Sequence, residues 1–309
     1  MATARGPGSF EGPFCEGERV LIVDDRRRSQ LVKLKAAGVA STHDGALDHD
    51  NIIGVEPGSR IMTRKGKMFW VIRPSLGEVI AAMPRGAQVI YPKDLGQILM
   101  SADIRPSQRI LESGVGSGAL SMALLNVGAT VRGYELREDF ANRARNNVAE
   151  YLPSEARQRY HVELRDIYQG IDGGPYDRVV LDLPEPWRVL EHLWGNLVPA
   201  GIVLAYQTSV GQLETFRAAL AKEGFILAET VEVLLRSWYH SRSALRPDHR
   251  MVAHTGFLTW ARLGPAAGSQ VDQDRLSAQE VNGPGANASD INIPEVYSHH
   301  TLKCSKGSF

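Results

Sequence analysis

A chain of 309 residues with 35 basic and 35 acidic side chains carries no formal net charge, which excludes a protein that coats polyanions by bulk charge but leaves room for a local basic face. Hydrophobic residues make up 43%, enough for an ordinary core, and no apolar run is long enough to span a bilayer. The two cysteines, Cys15 and Cys304, lie near opposite ends, which argues against a disulfide framework and predicts a reducing, cytoplasmic setting.

In chain order, residues 1–13 contain Gly, Pro and Ser without the apolar stretch of a signal peptide, and are expected to form a flexible N-terminus. Residues 14–74 carry short alternating apolar runs, such as Arg19 to Val23 and Met68 to Ile72, broken by Gly, Asp and His. They predict a small β domain. It holds two basic runs, Arg26-Arg27-Arg28 and Arg60, Arg64, Lys65 and Lys67, whose readings are an RNA contact or a solvated charged surface.

Residues 75–263 change to alternating strands and helices. Strands are predicted at Arg109–Glu112, Val131–Glu135, Tyr160–Leu164, Arg178–Leu183 and Ile202–Tyr206, with two more at Phe225–Leu235 and Ala253–Leu263. Helices are predicted at Ala119–Val127, Arg137–Tyr151, Trp187–Val198 and Val210–Lys222. This alternation predicts an α/β fold with an open, mainly parallel, doubly wound sheet, whose ligands sit at the carboxyl ends of the strands. Residues 264–309 are polar and aperiodic, and are expected to be a disordered tail.

The central motif is Glu112-Ser113-Gly114-Val115-Gly116-Ser117-Gly118, after a strand and before a helix. Glycines there let the backbone turn tightly and approach a ligand. Their G-x-G-x-G spacing differs from the dinucleotide fingerprint, which disfavours a nucleotide-dependent oxidoreductase, and no phosphate-gripping G-K-[ST] follows. Glu135 ends the second strand, where a carboxylate can accept two ribose hydroxyls. Asp166 follows the third and is placed to accept from an adenine amine. Acids after successive strands describe an adenosyl pocket of the kind shared by class I methyltransferases.

After the fourth strand comes Asp182-Leu183-Pro184-Glu185-Pro186-Trp187. Prolines stiffen the loop, and a carboxylate at Asp182 can accept from the exocyclic amine of a base while stabilising positive charge that develops on its ring. His43 and His49 sit among acids without metal-ligand spacing, so no metal is expected.

These motifs, with Pro84 to Asp94 and Arg246 to Leu258, resemble the tRNA (adenine-58-N1)-methyltransferase family, most of all its actinobacterial members, across Phe14 to Leu263. The resemblance implies a Rossmann-like class I fold with a seven-stranded sheet behind a small N-terminal β domain. It implies S-adenosylmethionine as cofactor, tRNA as partner, a homotetramer, no membrane and no metal. It places Glu112, Gly114, Gly116, Ser117, Gly118, Ala119, Leu120, Glu135, Asp166, Asp182 and Gln97 at the cofactor, and Asp182, Tyr91 and Tyr206 at the target adenine. Arg85 and Lys93 are expected near the pocket as RNA contacts. Where some relatives have His, Phe140 stands here. The competing readings are a methyltransferase of the same fold acting on another substrate, and a non-catalytic tRNA-binding subunit; the latter would be marked by loss of the glycines or of Asp182.

Overall fold

The structure is a computed structural model and describes residues 12–83, 86, 88–241 and 244–265. The expectations for residues 1–11 and 266–309, with Cys304, and for Pro84, Arg85 and Ala87 lie outside the described residues.

The N-terminal region forms a four-stranded antiparallel sheet and a separate hairpin. Its strands are β1 (Arg19–Asp24), β2 (Ser29–Lys33), β3 (Val39–Thr42), β4 (Gly45–Asp48), β5 (Ser59–Met62) and β6 (Met68–Ile72). The sheet runs β2-β1-β6-β5, with β3 paired to β4. Period-two alternation puts Val20, Ile22, Phe69 and Val71 into one small core with Phe14, Leu34, Leu47 and Ile52.

Helix α1 (Leu76–Ala82) opens with a capping box between Ser75 and Glu78, and α2 (Pro92–Ser101) follows with Pro at its first position. Then come β7 (Arg109–Ser113), α3 (Ala119–Val127), β8 (Thr130–Glu135), α4 (Glu138–Tyr151), α5 (Ser154–Gln158), β9 (Tyr160–Leu164) and β10 (Tyr176–Leu181). After a 3-10 segment at Pro186–Leu193 the chain continues with β11 (Leu197–Gln207), α6 (Val210–Lys222), β12 (Phe225–Glu232), the hairpin β13 (Trp238–His240) and β14 (Leu245–Pro247), and β15 (Phe257–Leu263).

The large sheet has seven strands in the order β12-β15-β11-β10-β7-β8-β9. Only β15 runs against the others. Alternate residues face opposite layers: Ile110, Val180 and Leu204 pack beneath α1, α2 and α3, whereas Leu111, Leu181 and Val203 pack with α6 and the 3-10 segment. Strand order reverses between β7 and β10, the switch point where open α/β sheets bind ligands.

Several expected elements differ: β10 spans Tyr176–Leu181 and not Arg178–Leu183, β11 begins at Leu197 and not Ile202, and β12 ends at Glu232 and not Leu235. The helix predicted at Trp187–Val198 is a 3-10 segment that stops at Leu193. Pro186, Val189, Leu190 and Leu193 are buried at helical spacing, but Gly195 adopts φ 80° and turns the chain, so Leu197 already pairs with Tyr176 in the sheet. The strand predicted from Ala253 starts at Phe257, because Thr255 and Gly256 turn to meet Tyr206. Helices α1 and α5 and the β13–β14 hairpin are additions that the periodicity does not reveal.

Candidate active site

The site is built where the carboxyl ends of β7, β8 and β10 meet. Gly114 leaves β7 at φ 83°, and a Cβ there would overlap the carbonyl oxygen of Asp182. Glycine is therefore required both for the left-handed turn and for the approach of the two loops. Gly118 caps α3, again left-handed, and faces Ala144 of α4, where a Cβ would lie 3.1 Å from that residue's Cα. Gly114, Gly116, Ser117, Ala119, Leu120 and Asp182 line one small cleft. Asn147 of α4, itself buried, donates to the Ser117 carbonyl at 2.8 Å and fixes the loop from behind.

Three acids surround this turn. Glu135 accepts from the backbone N–H of Gly116 and of Arg137, both at 3.0 Å, which holds its carboxylate against the glycine turn and leaves lone pairs free. Glu112 is fully buried, and Ser121 donates to its Oε2 at 2.6 Å, while Oε1 has no partner. Burial pushes its carboxyl up to about 8, the Ser121 hydrogen bond opposes the shift, and the charges of Asp182 and Glu135 reinforce it. Desolvation, with Glu135 nearby, raises Asp182 to about 7. No Lys, Arg or His side chain among the described residues pairs with any of the three. Three carboxyl groups gathered without a cation form a cradle for a positively charged ligand. A sulfonium with a free ammonium and a ribose diol fits this donor and acceptor set.

Other predicted residues fall at varied distances from this cleft. Asp166 caps a 3-10 turn, accepting from Tyr168 N–H at 3.0 Å, and its side chain stays partly exposed. Gln97 donates to Ser101 on its own helix at 2.8 Å and does not line the cleft; Gln88, Val89 and Ile90 do. Those three lie within the Pro84 to Asp94 motif but carry no functional signature of their own.

Tyr91 caps α2 and is partly buried. Tyr206 is buried, and its hydroxyl donates to the Thr255 carbonyl at 2.5 Å. A Cβ on Gly256 would lie 2.5 Å from the Tyr206 ring, so that backbone packs against the ring. Burial raises the phenol to about 12, with Thr255 opposing and Asp94, Asp182 and Tyr91 adding to it. Register explains why Tyr206 and Asp182 are neighbours: Leu181 pairs with both Ser113 and Ala205, so the next residues of the three strands are Gly114, Asp182 and Tyr206.

Lys93 is not available to RNA. Its side chain is 3% exposed, and its ammonium donates to Asp94, Val233 and Thr255. In the N-terminal sheet, Arg28 is held by Asp24 and Asp44, Arg60 by Asp25 and Arg64 by Asp48. Asp24, His43 and Asp44 cluster closely enough to share an ion, but the Arg28 guanidinium already supplies the positive charge, 2.6 Å from Asp24.

A seven-stranded sheet of this order, with a glycine turn and acids after its first strands, defines a class I S-adenosylmethionine-dependent methyltransferase. Residues 68–246 match the family model of the tRNA methyltransferase complex GCD14 subunit, and residues 12–61 match the TrmI-like N-terminal model. The chain is 35% identical over 252 residues to the tRNA (adenine(58)-N(1))-methyltransferase TrmI of Thermus thermophilus, covering 80% of this chain and 98% of that one. It is 32% identical over 271 residues to the tRNA (adenine(57)-N(1)/adenine(58)-N(1))-methyltransferase TrmI of Methanocaldococcus jannaschii, covering 79% and 95%. The crystal structure of tRNA (m1A58) methyltransferase TrmI from Aquifex aeolicus superposes with a TM-score of 0.73 at 30% identity, covering 81% of this chain and 98% of that one. A Thermotoga maritima structure described as a SAM-dependent O-methyltransferase gives 0.78 at 32%, covering 84% and 97%. The chain belongs to the TrmI-type tRNA (adenine-58-N1)-methyltransferase family.

Proposed function

We propose that this enzyme transfers a methyl group to ring nitrogen 1 of adenosine 58 in the T-loop of tRNA, with Asp182 holding the adenine. The observation that carries the assignment of roles is the placement of Asp182. It is half-buried, free of any cationic partner among the described residues, and wedged between the glycine turn and Tyr206. When bound, S-adenosylmethionine supplies an electrophilic methyl. Glu135 would hold its ribose, Asp166 its adenine amine, and the turn from Gly114 to Leu120 its methionine end.

Nitrogen 1 of adenine attacks with a lone pair already in the ring plane, so no proton need leave it. Positive charge instead spreads over the ring and the exocyclic amine as the bond forms. A carboxylate that accepts from that amine gains strength as the charge grows, and a dry site magnifies the gain. Tyr91 and Tyr206 border the adenine; aromatic surfaces there favour a base taken out of its stack. The intact glycines and Asp182 speak against a non-catalytic subunit.

We take the domain boundary to lie between residues 74 and 75 and the reaction to occur in the cytoplasm, where tRNA is the proposed substrate. The enzyme acts as a homotetramer. Leu234, Leu235, Trp238, Tyr239 and Leu245 form an exposed apolar group on and beside the β13–β14 hairpin, which a second copy would cover. Light scattering of Trp238→Glu tests this: an unchanged mass moves the interface elsewhere. Incubating the pure protein with tRNA and isotopically labelled cofactor, then analysing nucleosides by mass spectrometry, tests the activity. 1-Methyladenosine is expected, and none is expected from tRNA carrying guanosine at position 58; label on another nucleoside refutes the assignment.

A further inference from the structure

A buried ionic network lies behind the proposed adenine site. Lys93 Nζ donates to Asp94 Oδ1 at 2.7 Å, to the Val233 carbonyl at 2.7 Å and to Thr255 Oγ1 at 2.6 Å. The Thr255 hydroxyl donates onward to Asp94 Oδ2 at 2.7 Å. Lysine and aspartate are 3% and 0% exposed. The three N–H donors of the ammonium are consumed, and both carboxylate oxygens accept. Such a pair gains little net stability over a well-packed apolar pair, because two ions must be stripped of water. Its value lies in holding one geometry.

That geometry ends at the site. Asp94 and Lys93 stand in the first turn of α2, directly after Tyr91, whose carbonyl accepts from Asp94 N–H at 2.9 Å. Thr255 carries the carbonyl that accepts from the Tyr206 hydroxyl, and Gly256 packs on the Tyr206 ring. Val233 follows β12. Three segments distant in sequence are thereby tied to the two tyrosines beside Asp182. We infer that Lys93, Asp94 and Thr255 are positioning residues for methyl transfer, holding Tyr91 and Tyr206 in register with Asp182 without touching substrate. The inference rests on the base-binding role proposed for the two tyrosines.

Small displacements matter because in-line transfer needs the base within a fraction of an ångström, and an error near 1 Å can cost about 100-fold in rate. The first test is Thr255→Val, which keeps shape and removes both hydroxyl hydrogen bonds. Its single-turnover rate on tRNA is expected to fall about tenfold or more, with tRNA and cofactor affinities unchanged, and Thr255→Ser should restore the rate. Because Thr255→Val removes one hydrogen bond from each ion of a buried pair, a second variant, Lys93→Met with Asp94→Leu, replaces the pair by apolar groups and leaves no unpaired charge. It should keep its thermal midpoint and still lose rate. Wild-type rates in either variant, or a loss that appears only in KM, overturn the inference. If wild-type protein methylates no adenosine at all, the functional reading fails first, and the two failures are told apart by that control.

Discussion

The backbone N–H of Asp182 donates to the Ser113 carbonyl at 2.9 Å, so the residue proposed to hold the base is hydrogen-bonded to the strand end from which the cofactor turn springs. That bond uses only main chain, and a side-chain substitution leaves it in place. Asp182→Ala is therefore expected to leave the cofactor turn in place and to lower the single-turnover methylation rate by about 100-fold or more, with a much smaller loss of cofactor affinity from removal of one acid of the cradle. Asp182→Asn separates charge from shape. Near-normal turnover in either variant would sink the assignment.

Gly114→Ala should be far more damaging than its size suggests. The new methyl overlaps the Asp182 carbonyl and sits on a backbone at φ 83°, so both loops must move. We expect loss of cofactor binding and turnover together, with a destabilisation of about 2 kcal/mol or more. Calorimetric titration and a thermal melt check this; full-affinity binding would mean that the loops are more pliable than their packing implies.

Glu135→Gln keeps a carbonyl acceptor for only one of the Gly116 and Arg137 amides and loses the charge. Cofactor affinity should fall by about tenfold or more, while Asp182 is left in place. An unchanged dissociation constant would move the ribose contact to another residue.

Glu112 makes stability depend on pH with a definite sign. Its folded value of about 8 lies above the usual 4.5, so the folded chain binds the extra proton between these limits. The contribution of Glu112 is then fullest below about 4.5 and is lost as pH rises from there through about 8. Glu112→Gln should melt higher than wild type above that pH, with the gap closing below it. A bound cation would oppose the shift, so cofactor affinity should climb from pH 6 to about 8 with net proton release. Calorimetry in buffers of differing ionisation heat reads this directly; a pH-independent affinity would refute it.

The basic runs of the N-terminal sheet divide by their partners. Arg28, Arg60 and Arg64 face acids, whereas no acidic partner among the described residues is seen for Arg26, Arg27, Lys65 or Lys67. Replacing these four by Ala should weaken tRNA binding and lower the slope of log affinity against log salt by about 0.7 to 0.9 for each phosphate left without its cation. Cofactor affinity serves as the control. An unaltered slope would leave this face a solvated surface.

Much of this site is legible in the order of residues alone, and the reasons are local. Ala119–Val127, Tyr160–Leu164 and Val210–Lys222 occur as expected, because their periodicity and their Gly or Ser punctuation agree with the tertiary packing. Glu112, Glu135 and Asp182 stand out because each lies at a strand end, and strand ends set direction. Lys93 misleads: a lysine beside a proposed pocket reads as an RNA contact, and only the fold brings Val233 and Thr255 to it. Arg28 carries the same lesson, since Asp44 reaches it through a hairpin that sequence spacing does not show. Gln88 carries no chemical signature, so only its position at the cleft reveals it.

Helix α4 carries one stripe of residues whose spacing has a mechanical meaning. Ala144 abuts Gly118, Asn147 holds the Ser117 carbonyl, and Glu150 pairs with Arg19 and Lys33 of the N-terminal sheet while Arg19 lies over Tyr151. Residues three and four apart on a helix stack on one face. The helix is thus a splint, braced at one end on the N-terminal sheet and pressing at the other on the glycine turn. The N-terminal sheet is thus tied mechanically to the cofactor turn. Cutting the chain at residue 74 removes the anchor for Glu150, and a shortened enzyme should hold its cofactor less firmly even though every proposed cofactor ligand is still present.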